Sequence, residues 1–213
     1  MIDVNTLERW LSDIHEPHIV VGYGSLMNTD SRQRFSAIPH DGIPVELKGF
    51  TRAWVTRSQQ ERQTYVGAMP DSNAVLNAQL LPSLMDPSLA QRERDYQFVS
   101  VSVADLHFDI DPHAEAMLLP WLETRSLWVC ETLLQQPADE EFPVHQTYID
   151  TCLAGCIEHA GDQEAVRFIE TTQLWDHPRI NDRGTPVYPR AGRVSADMYE
   201  RIDRIMGAHL PDV

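Results

Sequence analysis

Among its 213 residues the sequence has one lysine, Lys48, and three cysteines, Cys130, Cys152 and Cys156. Lysine and arginine together number 17 against 32 aspartates and glutamates, giving a net charge of −15 and a pI near 4.8. A basic face is missing, and with it the electrostatic footprint that nucleic acid or an anionic membrane requires. Three cysteines, with no C-x-x-C among them, exclude a disulfide scaffold. No apolar run approaches the ~18 residues of a membrane span. Met1-Ile2-Asp3-Val4-Asn5 lacks the basic-then-apolar pattern of a secretory leader, so a reducing cytoplasm is the expected compartment. There is no H-E-x-x-H and no internal repeat, and Cys152 and Cys156, one helical turn apart, have only His159 nearby. Buried thiols and no metal are therefore expected.

What remains is ordinary: 42% hydrophobic and 23% charged residues, enough chain for one substantial domain or a domain with an extension. The most informative stretch is His18-Ile19-Val20-Val21-Gly22-Tyr23-Gly24-Ser25-Leu26-Met27. It reads as a buried strand running into a tight loop, followed by the turn and N-cap residues Asn28-Thr29-Asp30-Ser31. Such a loop can present several N–H donors to one anionic centre. A dinucleotide fingerprint fails because Met27 occupies the third glycine position. A nucleophile elbow around Ser25 fails because Tyr23 and Met27 stand where glycines are needed.

Val4, Leu7, Trp10, Leu11 and Ile14 predict an amphipathic helix over 3–14, capped near Asn5-Thr6 and ended by Pro17. Residues 40–105 predict strands over 44–50, 52–58, 64–70, 74–81 and 96–103, with Pro70-Asp71-Ser72-Asn73 as a stop and a short helix from Asp86-Pro87 to Arg92-Glu93. This pattern implies an α+β protein built on a small, mainly antiparallel barrel. Residues 106–125 read as an acidic loop or surface segment, 127–130 as the last strand and 135–143 as a connector. Two segments follow: a barrel over 1–135 and a helical extension over 144–213. The extension carries helices from near Pro143 and over 164–171, an irregular loop Asn181–Arg190 and a last helix capped by Ser195. Its Met198, Ile202 and Ile205 stripe is expected to pack on the barrel.

Tyr23-Gly24-Ser25-Leu26 resembles the Y-G-S-L loop of the gamma-glutamylcyclotransferase-like superfamily. Gly49-Phe50-Thr51-Arg52 is similar to that family's G-[FWY]-x-R strand. Tyr65-Val66-Gly67 and Asn77-Ala78-Gln79-Leu80 resemble its next two strands, with Ala78 where many members carry glycine. Gln91-Arg92-Glu93-Arg94-Asp95-Tyr96 resembles its R-E-x-x-Y turn, and the extension looks like one carried by some bacterial members. The resemblance implies a cofactor-independent enzyme of the lyase or transferase type. It would act on a small γ-glutamyl amide, whose α-amine attacks the γ-carbonyl to release 5-oxoproline. Glu93 would be the general base, and Tyr23, Gly24, Ser25, Leu26, Arg52 and Tyr96 would hold the substrate. The leaving group and the oligomeric state are left open.

Plainer readings stand beside these. A glutamate in an Arg-Glu-Arg run is ordinarily solvated. Arg52 is equally suited to a surface ion pair, and Tyr96 to packing. The Asn181–Arg190 loop either caps the pocket and selects the leaving portion, through Arg183 for instance, or is structural. A non-catalytic γ-glutamyl or amino-acid binding module, or a hydrolase using Ser25 and releasing glutamate, are the competing functions.

Overall fold

A computed structural model describes residues 2–210; Met1 and residues 211–213, the outermost positions of the two expected segments, lie outside it. The first helix, α1 (Val4–Asp13), begins as its apolar spacing predicts, but its cap is Asp3, whose Oδ1 accepts the Thr6 N–H at 2.8 Å. Strand β1 (His18–Gly22) is buried from Ile19 onward. A one-turn 3₁₀ helix (Ser25–Met27) and α2 (Thr29–Phe35) follow, α2 being capped by Asn28.

The next two strands are longer than expected. β2 (Ile43–Ser58) continues through Gly49, at φ +84°, and β3 (Gln63–Ser83) continues through Pro70–Asn73. The ladder passes from Lys48↔Val75 to Phe50↔Pro70, so residues 71–74 form a bulge opposite Gly49. The turn chemistry is present, as Asn73 N–H bonds Asp71 Oδ1, but the unbroken partner strand makes it a bulge and not a stop. Helix α3 (Pro87–Arg92), capped by Asp86, leads to β4 (Tyr96–Ser100) and the short β5 (Leu106–His107).

The expected loop over 106–125 contains α4 (Pro112–Leu122), where Asp111 caps and Pro112 takes the first turn, a start signal that the acidic composition hides. Strand β6 (Ser126–Thr132) is not the last: β7 (Val144–His145), β8 (Thr172–Gln173) and β9 (Arg179–Ile180) follow. Helices α5 (Gln146–Ala160), α6 (Asp162–Glu170) and α7 (Ala196–His209) complete the chain.

The main sheet runs β4-β6-β1-β3-β2-β5, with β8 beside β2. It is α+β as expected and most of its pairing is antiparallel, but the sheet is mixed and open, not a closed barrel. β1 pairs parallel with β6 and β2 parallel with β8, while β4 and β5 leave two edges. α4 precedes β6 and carries the chain back across, which a parallel neighbour requires. Past the end of β1 the sheet closes on itself at one point, Ala68 of β3 against Glu131 of β6. The stripe of α7 packs on α5 and α6, not on the sheet, because α5 already covers that face; Ile202 and Ile205 are buried there. No helix among the described residues is long and apolar enough to cross a membrane.

Candidate active site

β1 ends where β3 and β6 converge, and Tyr23 fills that junction. Its hydroxyl donates to the Cys130 carbonyl on β6 and accepts the Ala68 N–H of β3 at 3.0 Å. Gly24 follows at φ −130°, so it needs no left-handed conformation. It needs space: a Cβ there would stand 2.9 Å from Val66 Cγ2 and 3.1 Å from the Tyr148 hydroxyl. The first hydrogen bond of the 3₁₀ turn is Met27 N–H to the Gly24 carbonyl, so the Ser25 and Leu26 amides precede the ladder.

Around this loop lies a pocket enclosing roughly 410 Å³, open solvent included, on whose wall Glu93 stands. Of the residues singled out in the sequence, Tyr23, Gly24, Ser25, Leu26, Glu93 and Tyr96 line it together. Glu93 is the C-cap of α3, its side chain 10% exposed, with Oε1 3.5 Å from Arg92 Nε. Burial pushes its carboxyl above the usual range, against the pull of the Arg92 and Arg190 charges. Tyr96 donates to the Val66 carbonyl at 2.7 Å, which aims its ring at the cavity.

Arg52 is not on that wall. It is fully buried under the sheet, where it donates to the Tyr23, Asn77 and Phe168 carbonyls, to Asn77 Oδ1 and to the Thr171 and Thr172 hydroxyls. Every N–H is occupied, by neither a surface acid nor an open cavity, and burial lowers its pKa to about 10. Two of its acceptors lie beyond α6, so it pins the C-terminal segment to β2.

The pocket residues to which sequence reasoning gave no role are Arg92, Tyr65, Cys130 and Tyr148, while Tyr188 and Arg190 come from the Asn181–Arg190 loop, for which a cap on the pocket was one of two readings. Five of the six tyrosines line this one pocket. Tyr65, Tyr148 and Tyr188 meet with ring centroids 4.7 to 5.6 Å apart. Arg92 Nη2 and the Tyr188 hydroxyl each lie 2.8 Å from Ser25 Oγ, and Arg92 also holds Ser31 and Ser36 of the α2 segment. The signal available was Tyr188 and Arg190 in a proline-interrupted loop, large side chains that an exposed loop does not need.

That loop is placed by capping. His145 starts α5 without a side-chain cap, and Asp182 supplies one from a distance: its carboxylate accepts from Thr147 N–H at 2.8 Å, from the Thr147 hydroxyl at 2.6 Å and from Val187 N–H at 2.8 Å. Farther along, the Ser31 hydroxyl donates to the Arg190 carbonyl and Gly192 N–H to Thr151 Oγ1. Arg183 points elsewhere, pairing at 2.7 Å with both Asp150 of α5 and Asp203 of α7.

With this geometry in place, the fold is similar to that of a gamma-glutamyl cyclotransferase. A protein of that name superposes with a TM-score of 0.51 at 12% identity, over 88% of this chain and 98% of that one. YkqA from Bacillus subtilis gives 0.54 at 14% identity over 81% of this chain, which spans only 60% of YkqA. An uncharacterized human protein, loc79017, gives 0.51 at 12% identity, over 87% and 97%. These are likenesses of fold. No family model and no curated protein matches the sequence.

Proposed function

We propose that this protein is a gamma-glutamylcyclotransferase-like enzyme that cleaves a γ-glutamyl amide by intramolecular attack and releases 5-oxoproline. The observation that carries the reading is one pocket, in this fold, holding a buried carboxylate of raised pKa beside the unladdered amides of Ser25 and Leu26. Glu93 takes a proton from the substrate α-ammonium. The freed amine attacks the γ-carbonyl carbon, and the oxyanion forms against the loop N–H groups, each worth about 3 kcal/mol in comparable sites. The lactam C–N bond closes as the old amide C–N bond breaks. Two protons in all pass from the α-nitrogen to the leaving nitrogen, with Glu93 accepting and returning them, so the balance requires no water. Proton transfer of this kind contributes roughly 10²–10⁴-fold. Tyr23, Gly24, Leu26 and Tyr96 shape the γ-glutamyl site.

The hydrolase reading fits less well. A serine nucleophile needs a base on its oxygen, and Ser25 Oγ instead receives an obligate donor from the Arg92 guanidinium.

The test is mass spectrometry of products from a panel of γ-glutamyl amides. Wild type is expected to yield 5-oxoproline, and Glu93→Gln to lose at least about 10²-fold in turnover while folding normally. Glutamate as the sole acidic product, or a fully active folded Glu93→Gln, would reject the assignment.

A further inference from the structure

We propose that Arg190 is the carboxylate receptor of this pocket, a specificity residue delivered by the C-terminal segment to a reacting centre built by the first hundred residues. The proposal rests on the γ-glutamyl reading above and names the group by which the substrate is held.

A γ-glutamyl amide always carries an α-carboxylate, and an amino-acid leaving portion adds a second. Recognition calls for a cation with free donors. Arg52 lies off the pocket with its donors filled. Arg92 lines the pocket, but Ser25, Ser31, Ser36 and Glu93 take its N–H groups. Arg190 is different. The structure pairs its Nη1 with Glu61 Oε1 at 3.1 Å, while its Nε is buried without a partner. Nε–H and the adjacent Nη2–H form one edge of the guanidinium, the planar fork that matches a carboxylate bidentately. A buried donor left unpaired is unfavourable, and a ligand oxygen removes that cost.

The fork is held in place before any ligand arrives. Its guanidinium carbon lies 5.7 Å from the Tyr65 ring centroid and 5.3 Å from that of Tyr188. Glu61 is itself held by the Tyr65 hydroxyl and by Arg94 at 3.5 Å. The Arg190 carbonyl accepts the Ser31 hydroxyl at 2.6 Å, tying its backbone to α2. Such preorganisation spares the ordering cost of binding.

The experiment compares full-length wild type, Arg190→Lys and Arg190→Ala on three substrates: γ-glutamylalanine, γ-glutamyl methylamide, and γ-glutamylalanine with its α-carboxylate converted to a carboxamide. Binding of 5-oxoproline and glutamate is measured by calorimetry, and folding by thermal unfolding. Arg190→Ala is expected to lose about 10²-fold in kcat/KM, mainly through KM, the scale of one charged bidentate contact. Arg190→Lys keeps the charge but not the fork and should recover only a small part. Loss on γ-glutamylalanine and on its glutamyl α-carboxamide, but not on the methylamide, places the recognised carboxylate on the leaving portion. Loss on the first two substrates but not on the carboxamide places it on the α-carbon. Either outcome supports the proposal. An equal loss on all three substrates, or none on any, overturns it and makes Arg190 structural. If wild type turns over no substrate, the cyclotransferase reading fails separately. Carboxylate binding by wild type that Arg190→Ala abolishes then still supports the receptor. Binding that is unchanged in the variant, or absent from wild type, overturns it.

Discussion

Glu93 keeps a carboxyl where burial opposes its charge, and that has a cost visible in stability. Its folded-state pKa lies above its unfolded one, so between the two the native state holds a proton that the unfolded state has released. Its contribution is fully present below the unfolded value and is lost as pH rises through the folded one. Glu93→Gln should therefore match or exceed wild type in thermal stability at neutral pH, with the gap closing on acidification below pH ~4, where both carboxyl and amide are neutral. Denaturation curves at several pH values check this; a gap that widens in acid contradicts it. The acidic limb of wild-type kcat/KM should likewise sit above the ordinary glutamate range. Arg52 makes the opposite prediction. Arg52→Met removes six hydrogen bonds from a buried cluster and leaves buried acceptors, Asn77 Oδ1 among them, short of donors, so stability should fall by about 3 kcal/mol or more. Chemical denaturation measures that, and a stable variant defective only in KM would return Arg52 to the binding site.

Among the elements, α5 decides most. It crosses the end of the Tyr23–Leu26 loop at Gly155, where a Cβ would lie 2.5 Å from both the Asn28 nitrogen and the Met27 carbonyl carbon. Alanine in a helix interior is favoured over glycine by up to about 1 kcal/mol, so propensity alone predicts that Gly155→Ala stabilises. The atoms in the way are backbone and have no rotamer to change, so sterics should win. Gly155→Ala is expected to be less stable than wild type and to bind γ-glutamyl ligands more weakly, read by thermal unfolding and calorimetry. The same helix carries Tyr148 into the pocket, and its Glu158 accepts from Asn28 Nδ2 and Thr29 N–H at the start of α2. Arg183, for which the sequence left a selector of the leaving portion and a structural role both open, ties α5 to α7 through Asp150 and Asp203.

At the scale of the molecule, the C-terminal segment completes the site as well as covering the sheet. Without residues 144–210 the pocket would lose Tyr148, Tyr188 and Arg190, Ser25 would lose one hydroxyl partner, and Arg52 would lose its Thr171, Thr172 and Phe168 acceptors. A chain ending at residue 143 should be poorly folded, and any folded fraction should show no measurable turnover. Soluble, active protein from that truncation would show that residues 1–143 are self-sufficient.

How much of this was legible in the sequence follows the range of the forces involved. Local signals were enough for the buried strand into the Tyr23-Gly24-Ser25-Leu26 loop, the Asp86-Pro87 start of α3, the Ser195 cap and the apolar spacing of α1 and α7, because caps and periodicity act within a few residues. They also placed Glu93 one turn from Tyr96. Local signals misled at Pro70–Asn73, where a partner strand overrode a turn, and at Arg52, whose role depends on acceptors 120 residues away. Nothing local could show that Asp182 caps α5 from outside it, or that five tyrosines spread from 23 to 188 share one wall. The tertiary structure alone decided those, because a pocket is made of groups that meet only after the chain has closed over them.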